Sequence, residues 1–206
     1  MIEAAQCDDS ESLPVPRVAL LSEEESLIRG RELGIDDYIA KMHLFRVLLQ
    51  HPQVARELNA TIMSLVGADK VLEDRLRELI IMRVSWQAAC DYEWSQHWMA
   101  SLYFGLQESE LASVRQWSEA ECFSDAERAV LGATDDVLAR GVVAPNTWKA
   151  LAGHFPDDRE KIEIVTCIAN WNMFAQIIRS LDIPLEAGLQ SWPPDGCSPD
   201  DSTTNK

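Results

Sequence analysis

Three side chains able to do chemistry share one face of a short stretch. In CDYEWSQH, residues 90–97, Cys90, Glu93 and His97 stand at i, i+3 and i+7. Trp86, Trp94 and Phe104 fall on or beside the same stripe. Glu93 and His97 are four apart, a spacing at which a carboxylate and an imidazole exchange a hydrogen bond. The carboxylate would fix the imidazole tautomer and favour its charged form, whereas burial against tryptophan disfavours charge on both groups. A pair balanced near neutrality is what general acid–base catalysis requires. Cys90 adds a thiol, a residue type that also serves as core filler. No metal centre is expected. Glu93 and His97 supply two ligands, and Glu78 or His43 could add others, but no Cys/His cluster completes a set. A glycine-rich phosphate loop, a G-x-S-x-G elbow and H-E-x-x-H are absent.

The elements that must position this stripe read as helices. No run alternates with period two, and no Asn-Gly or Asp-Gly hairpin signal separates apolar runs. The fold class is all-α. Ser22-x-x-Glu25 and Ser124-x-x-Glu127 are capping boxes, and Gly34 and Gly141 can close the helices they start. Asp36 and Asp37 precede a helix expected to run to the residues before Pro52, and another is expected to end at Gly67. Residues 71–104 predict two helices or one bent helix, closed by Gly105. Asn146 is the expected cap of the next helix, and Asp157/Asp158 start a long one ending before Pro184. Residues 1–16 read as a flexible leader, 17–190 as a single domain and 191–206 as a disordered tail.

Bulk properties narrow the partners. The 206 residues carry 34 acidic against 18 basic side chains, a formal net charge of −16. Such a surface repels phosphate backbones and anionic lipid, so neither nucleic acid nor membrane is an expected partner. Apolar runs are interrupted by charges well short of bilayer length. The N-terminal stretch is acidic and lacks the basic-then-apolar pattern of a secretory signal. Five irregularly spaced cysteines fit a reducing compartment, and a cytoplasmic location is expected.

The segment RLRELIIMRVSWQAACDYEWSQHWMASLYFGLQESEL, residues 75–111, resembles the core of the carboxymuconolactone decarboxylase family, which includes the AhpD-type alkylhydroperoxidases. The resemblance rests on Arg77-Glu78-Leu79, on Tyr92-Glu93-Trp94 with His97, and on Gly105-Leu106. It implies an AhpD-like helical bundle that assembles as a homo-oligomer, whether dimer, trimer or hexamer. The peroxidase branch uses a Glu, a C-x-x-C and a His four residues later. Here that frame is Glu78, Cys90, Glu93 and His97, with Glu93 where the second cysteine would stand. The dithiol couple is therefore missing, and thiol peroxidase activity would need Cys90 to pair with Cys122 or Cys167. What the resemblance implies instead is a cofactor-independent lyase. The leading expectation is a decarboxylase of a small unsaturated lactone or cyclic keto-acid. An isomerase, dehydratase or cyclase on a similar substrate is the alternative, as is a non-catalytic small-molecule binder. In this reading His97 is the proton donor, Glu93 orients it, and Glu78 holds a second proton or positions the substrate. Trp86, Trp94 and Phe104 form the apolar walls, Cys90 and Tyr92 offer hydrogen bonds, and His43 lines the pocket.

Overall fold

The computed structural model describes residues 15–200. Among these the chain forms ten α-helices: α1 (Glu23–Glu32), α2 (Asp37–Lys41), α3 (His43–Leu48), α4 (Pro52–Val66), α5 (Asp74–Gln87), α6 (Asp91–Tyr103), α7 (Glu108–Ser113), α8 (Asp125–Arg140), α9 (Pro145–His154) and α10 (Asp158–Ser180). The all-α expectation holds, and the described residues contain no strand. Both capping boxes form, with Ser22 and Ser124 each accepting from the backbone N–H three residues on. Gly141 closes α8 in the left-handed region that glycine adopts without a Cβ penalty.

Two local expectations are corrected, and one stated alternative is decided. The helix after Asp36 breaks in two, because Met42 turns extended between α2 and α3. Helix α9 starts one residue before the expected Asn146 cap. Pro145 takes the first turn, where its fixed φ suits a helix and its missing N–H costs nothing. The long 71–104 stretch is two helices, parted where Ala89 takes a φ of 49° and Cys90 becomes the residue before α6.

Helix α5 is the axis. Every residue from Leu76 to Trp86 is buried, including Arg77, Glu78 and Arg83. Helices α6, α8 and α10 pack around it. Helix α6 presents Met99 and Tyr103 to solvent, with Phe104 just beyond its end, and the surrounded helix is its predecessor. The core divides in two. A larger part joins α3, α5, α8 and α10 around Phe45, Ile80 and Phe174. A smaller one gathers Trp86, Trp94, Trp98, Leu106 and Phe123.

The expected disordered tail is corrected for residues 191–200. Trp192 packs edge-on to Trp86, with ring centroids 5.7 Å apart, and lies 6.1 Å from Trp94. Asp91 accepts from the Ser191 hydroxyl and the Trp192 backbone N–H. The Pro193 carbonyl accepts from the Trp94 indole at 2.8 Å, and Arg115 pairs with Asp195. Polar composition made this stretch read as unstructured, but one tryptophan and hydrogen bonds to Asp91, Trp94 and Arg115 hold it. Of the expected leader, residues 1–14 lie outside the described residues, as do 201–206 of the tail. Trp192→Ala is expected to cost about 2 kcal/mol of stability from lost aromatic packing, read as a lower urea midpoint with unchanged slope.

Candidate active site

Three helices each send one polar group to the same point. Glu78 comes from α5, His97 from α6 and Trp171 from α10. His97 Nδ1 lies 2.8 Å from Glu78 Oε2, and the Trp171 indole N–H donates to His97 Nε2 at 3.1 Å. An indole nitrogen can only donate, so these partners assign the lone pair to Nε2 and the ring proton to Nδ1. His97 is thus held as one tautomer with both nitrogens engaged.

Glu78 is itself anchored. Its other oxygen accepts from Arg77 Nη2 at 2.8 Å and Nε at 3.1 Å, and Arg77 also pairs with Asp74. Burial pushes the Glu78 pKa up, but His97 and Arg77 outweigh that and hold it below the ordinary glutamate value. Glu78 is therefore the charged carboxylate of the site.

Glu93 is its opposite. It lies one helical turn before His97 on α6 and is 3% exposed, with neither carboxyl oxygen in a hydrogen bond. Burial alone drives its pKa well above the usual value. The expected Glu93–His97 hydrogen bond is corrected by this arrangement. The imidazole bonds the charged Glu78 of α5 and not the neutral carboxyl of its own helix, because Glu78 is a better acceptor already fixed by Arg77.

A cavity of about 220 Å³ opens along this junction. Ile39, Met42, Phe45, Ile62, Phe174 and Ile178 make its apolar walls, and Tyr92, Glu93, Gln96, His97 and Trp171 its polar side. The volume suits one ring with small substituents, since a dry cavity of about 150 Å³ accepts benzene. Most of the polar side is already committed. The Tyr92 hydroxyl donates to Glu186 at 2.6 Å and accepts from the Leu44 N–H, while the Gln96 amide nitrogen also donates to Glu186.

Several expected site residues stand elsewhere. Trp86 and Trp94 belong to the second aromatic cluster, where the Arg115 guanidinium lies 4.8 Å and 5.2 Å from their ring centroids. They face the α7 side of the bundle and do not line the cavity. Phe104 is half-exposed and covers the Arg77 guanidinium at 5.0 Å. Cys90 is buried outside the cavity lining, and burial, with Glu93 nearby, raises its thiol pKa. Cys90, Cys122 and Cys167 are all free thiols, and Cys122 is exposed while the other two are buried. His43 braces the rim without lining the cavity: its ring bonds the Pro184 carbonyl and its backbone N–H donates to Glu186.

The structure also brings in groups that sequence reasoning passed over. Trp171 was legible only as an aromatic between Asn170 and Asn172 in an apolar helix. Glu186, beyond α10, gave no signal at all, because nothing in its neighbourhood repeats or caps.

Part of the chain matches a known family. Residues 52–136 match the carboxymuconolactone decarboxylase family. The resemblance read from residues 75–111 is borne out, and the matched segment holds Glu78, Glu93 and His97. No curated protein matches the chain. Among solved structures, an uncharacterised peroxidase-related protein from Ralstonia eutropha, described as an alkylhydroperoxidase AhpD core, superposes with a TM-score of 0.69. It is 17% identical over 84% of this chain and 94% of the other. A putative antioxidant defence protein AhpD from Agrobacterium tumefaciens gives 0.63 at 24% identity, over 68% of this chain and 95% of the other. The debrominase Bmp8 gives 0.64 at 18% identity, over 80% and 86% of the two chains. It has also been solved as a cysteine-to-alanine variant with 2,3,4-tribromopyrrole. At these identities the likeness shows the AhpD-like helical fold shared with a carboxymuconolactone decarboxylase family segment.

Proposed function

We propose that this carboxymuconolactone decarboxylase family protein is a cofactor-independent acid–base enzyme that moves a proton on a small, neutral, cyclic carbonyl compound. One observation carries the reading: a buried glutamic acid with both oxygens unpartnered on the wall of a ring-sized apolar cavity. A carboxyl held in its neutral form can give a proton from one oxygen while the other receives one. With the substrate carbonyl against Glu93, one carboxyl oxygen protonates the carbonyl oxygen and the other takes the proton from the adjacent carbon. The product is the enol and Glu93 ends neutral, as it began. Reprotonation at a conjugated carbon then shifts the double bond.

The roles differ from those first expected. Glu93 is the proton carrier, His97 is a fixed wall group, and Glu78 with Trp171 holds His97 in place. Decarboxylation is the second reading, favoured by the family match. It fits the cavity less well, because no Lys or Arg is among the residues lining it and a substrate carboxylate would go unpaired.

The test is hydrogen–deuterium exchange in deuterium oxide on small cyclic enones and lactones, with cyclic β-keto acids followed for carbon dioxide. Exchange should fall about 10²–10⁴-fold in Glu93→Gln. Equal exchange in the two proteins, or carbon dioxide release that Glu93→Gln retains, contradicts the reading.

Assembly as a homo-oligomer belongs to the same proposal. Met99 and Tyr103 lie one turn apart on α6, 59% and 85% exposed, with Phe104 beside them. Light scattering should give a mass above one chain, and Tyr103→Glu should reduce it; a monomer at micromolar concentration refutes this.

A further inference from the structure

The polar atoms around the cavity say more about the ligand than its volume does. The Tyr92 hydroxyl is engaged as donor and acceptor, both His97 nitrogens are engaged, and Gln96 commits its amide nitrogen to Glu186. Glu93 alone among the buried groups lining the cavity has two unpartnered polar atoms, both on one carboxyl. A buried polar atom left without a partner is costly, so a ligand that completes both gains on each. One neutral carboxyl presents a donor and an acceptor side by side about 2.2 Å apart. The complementary edge is an acceptor beside a donor, in plane, on a ring small enough for about 220 Å³.

We propose that the cavity selects a small ring bearing a hydrogen-bond donor adjacent to a carbonyl, a lactam or cyclic imide, which Glu93 grips through both of its carboxyl oxygens. This rests on Glu93 facing the ligand, as in the proposed function, but not on turnover. Lactones and ketones of the same size present the acceptor alone and leave one Glu93 oxygen unpaired. Apolar walls from α2, α3, α4 and α10 then hold the hydrocarbon side of the ring.

Calorimetric titration of 2-piperidone, N-methyl-2-piperidone and δ-valerolactone into wild type, Glu93→Gln and Glu93→Leu tests it. Wild type should bind 2-piperidone about ten- to a hundred-fold more tightly than either of the others. Glu93→Gln should keep that preference, because an amide also offers a donor beside an acceptor, while Glu93→Leu should lose it. Equal affinity for the three probes in wild type, a preference that survives in Glu93→Leu, or no binding of any probe up to its solubility overturns the proposal. Preference retained in Glu93→Gln without exchange activity in wild type would sink the catalytic reading and leave this one standing.

Discussion

Glu93→Leu is expected to make the protein more stable and inactive. The carboxyl makes no hydrogen bond and sits fully out of water, so the folded state carries its desolvation with nothing in return. Replacing it by an apolar side chain of similar size removes about 1–3 kcal/mol of cost, which at this chain length is roughly 2–12 °C in Tm. The gain depends on pH with a definite sign. The Glu93 pKa is raised in the folded state, so native protein binds a proton that unfolded chain releases. Wild-type stability contributed by this group is complete below the ordinary glutamate pKa and is lost as pH rises towards the folded value. The advantage of Glu93→Leu should therefore widen from pH 4 to pH 8. Thermal melts across that range check it, and a Glu93→Leu protein less stable than wild type at neutral pH would show that the carboxyl has a partner.

Glu78→Ala should act in the opposite direction. Arg77 and Glu78 are 3% and 1% exposed, and the carboxylate joins Arg77 to His97. Removing one partner of a buried ion pair costs about 3–5 kcal/mol, because the remaining charge stays buried with less to balance it. Asp74 still meets Arg77, so the lower part of that range is expected. His97 would lose its orienting acceptor, and proton exchange on a ring substrate should fall even at temperatures where the variant is folded. Here the pH dependence is reversed. The Glu78 pKa is depressed, so its contribution is present above the ordinary glutamate value and is lost as pH falls through the folded one. Glu78→Gln should flatten that acid limb, which urea titrations between pH 3 and pH 6 would reveal.

Helix positions were legible in the sequence because caps and glycines act over four or five residues. Ser22 with Glu25, Ser124 with Glu127 and Gly141 were therefore readable one helix at a time. The site was legible as a set of residues and not as an arrangement. Spacing put Glu93 and His97 on one helix face, and that placement holds. It could not show that a charged carboxylate from α5 would outcompete a neutral one on the same helix. Trp86 and Trp94 fell beside the stripe by periodicity, yet a tail carrying Trp192 drew them into another cluster. Trp171 and Glu186 reach the site from 74 and 90 residues beyond His97 and Gln96, distances at which local pattern carries no information.

The central claim is that Glu93 is a neutral carboxyl that meets the ligand. Infrared difference spectroscopy of wild type against Glu93→Gln at neutral pH, with and without 2-piperidone, tests it most directly. A protonated carboxyl band that disappears in Glu93→Gln, and that shifts when the lactam is added, is the expected result. Carboxylate bands alone at neutral pH, or a carboxyl band indifferent to the lactam, would contradict it.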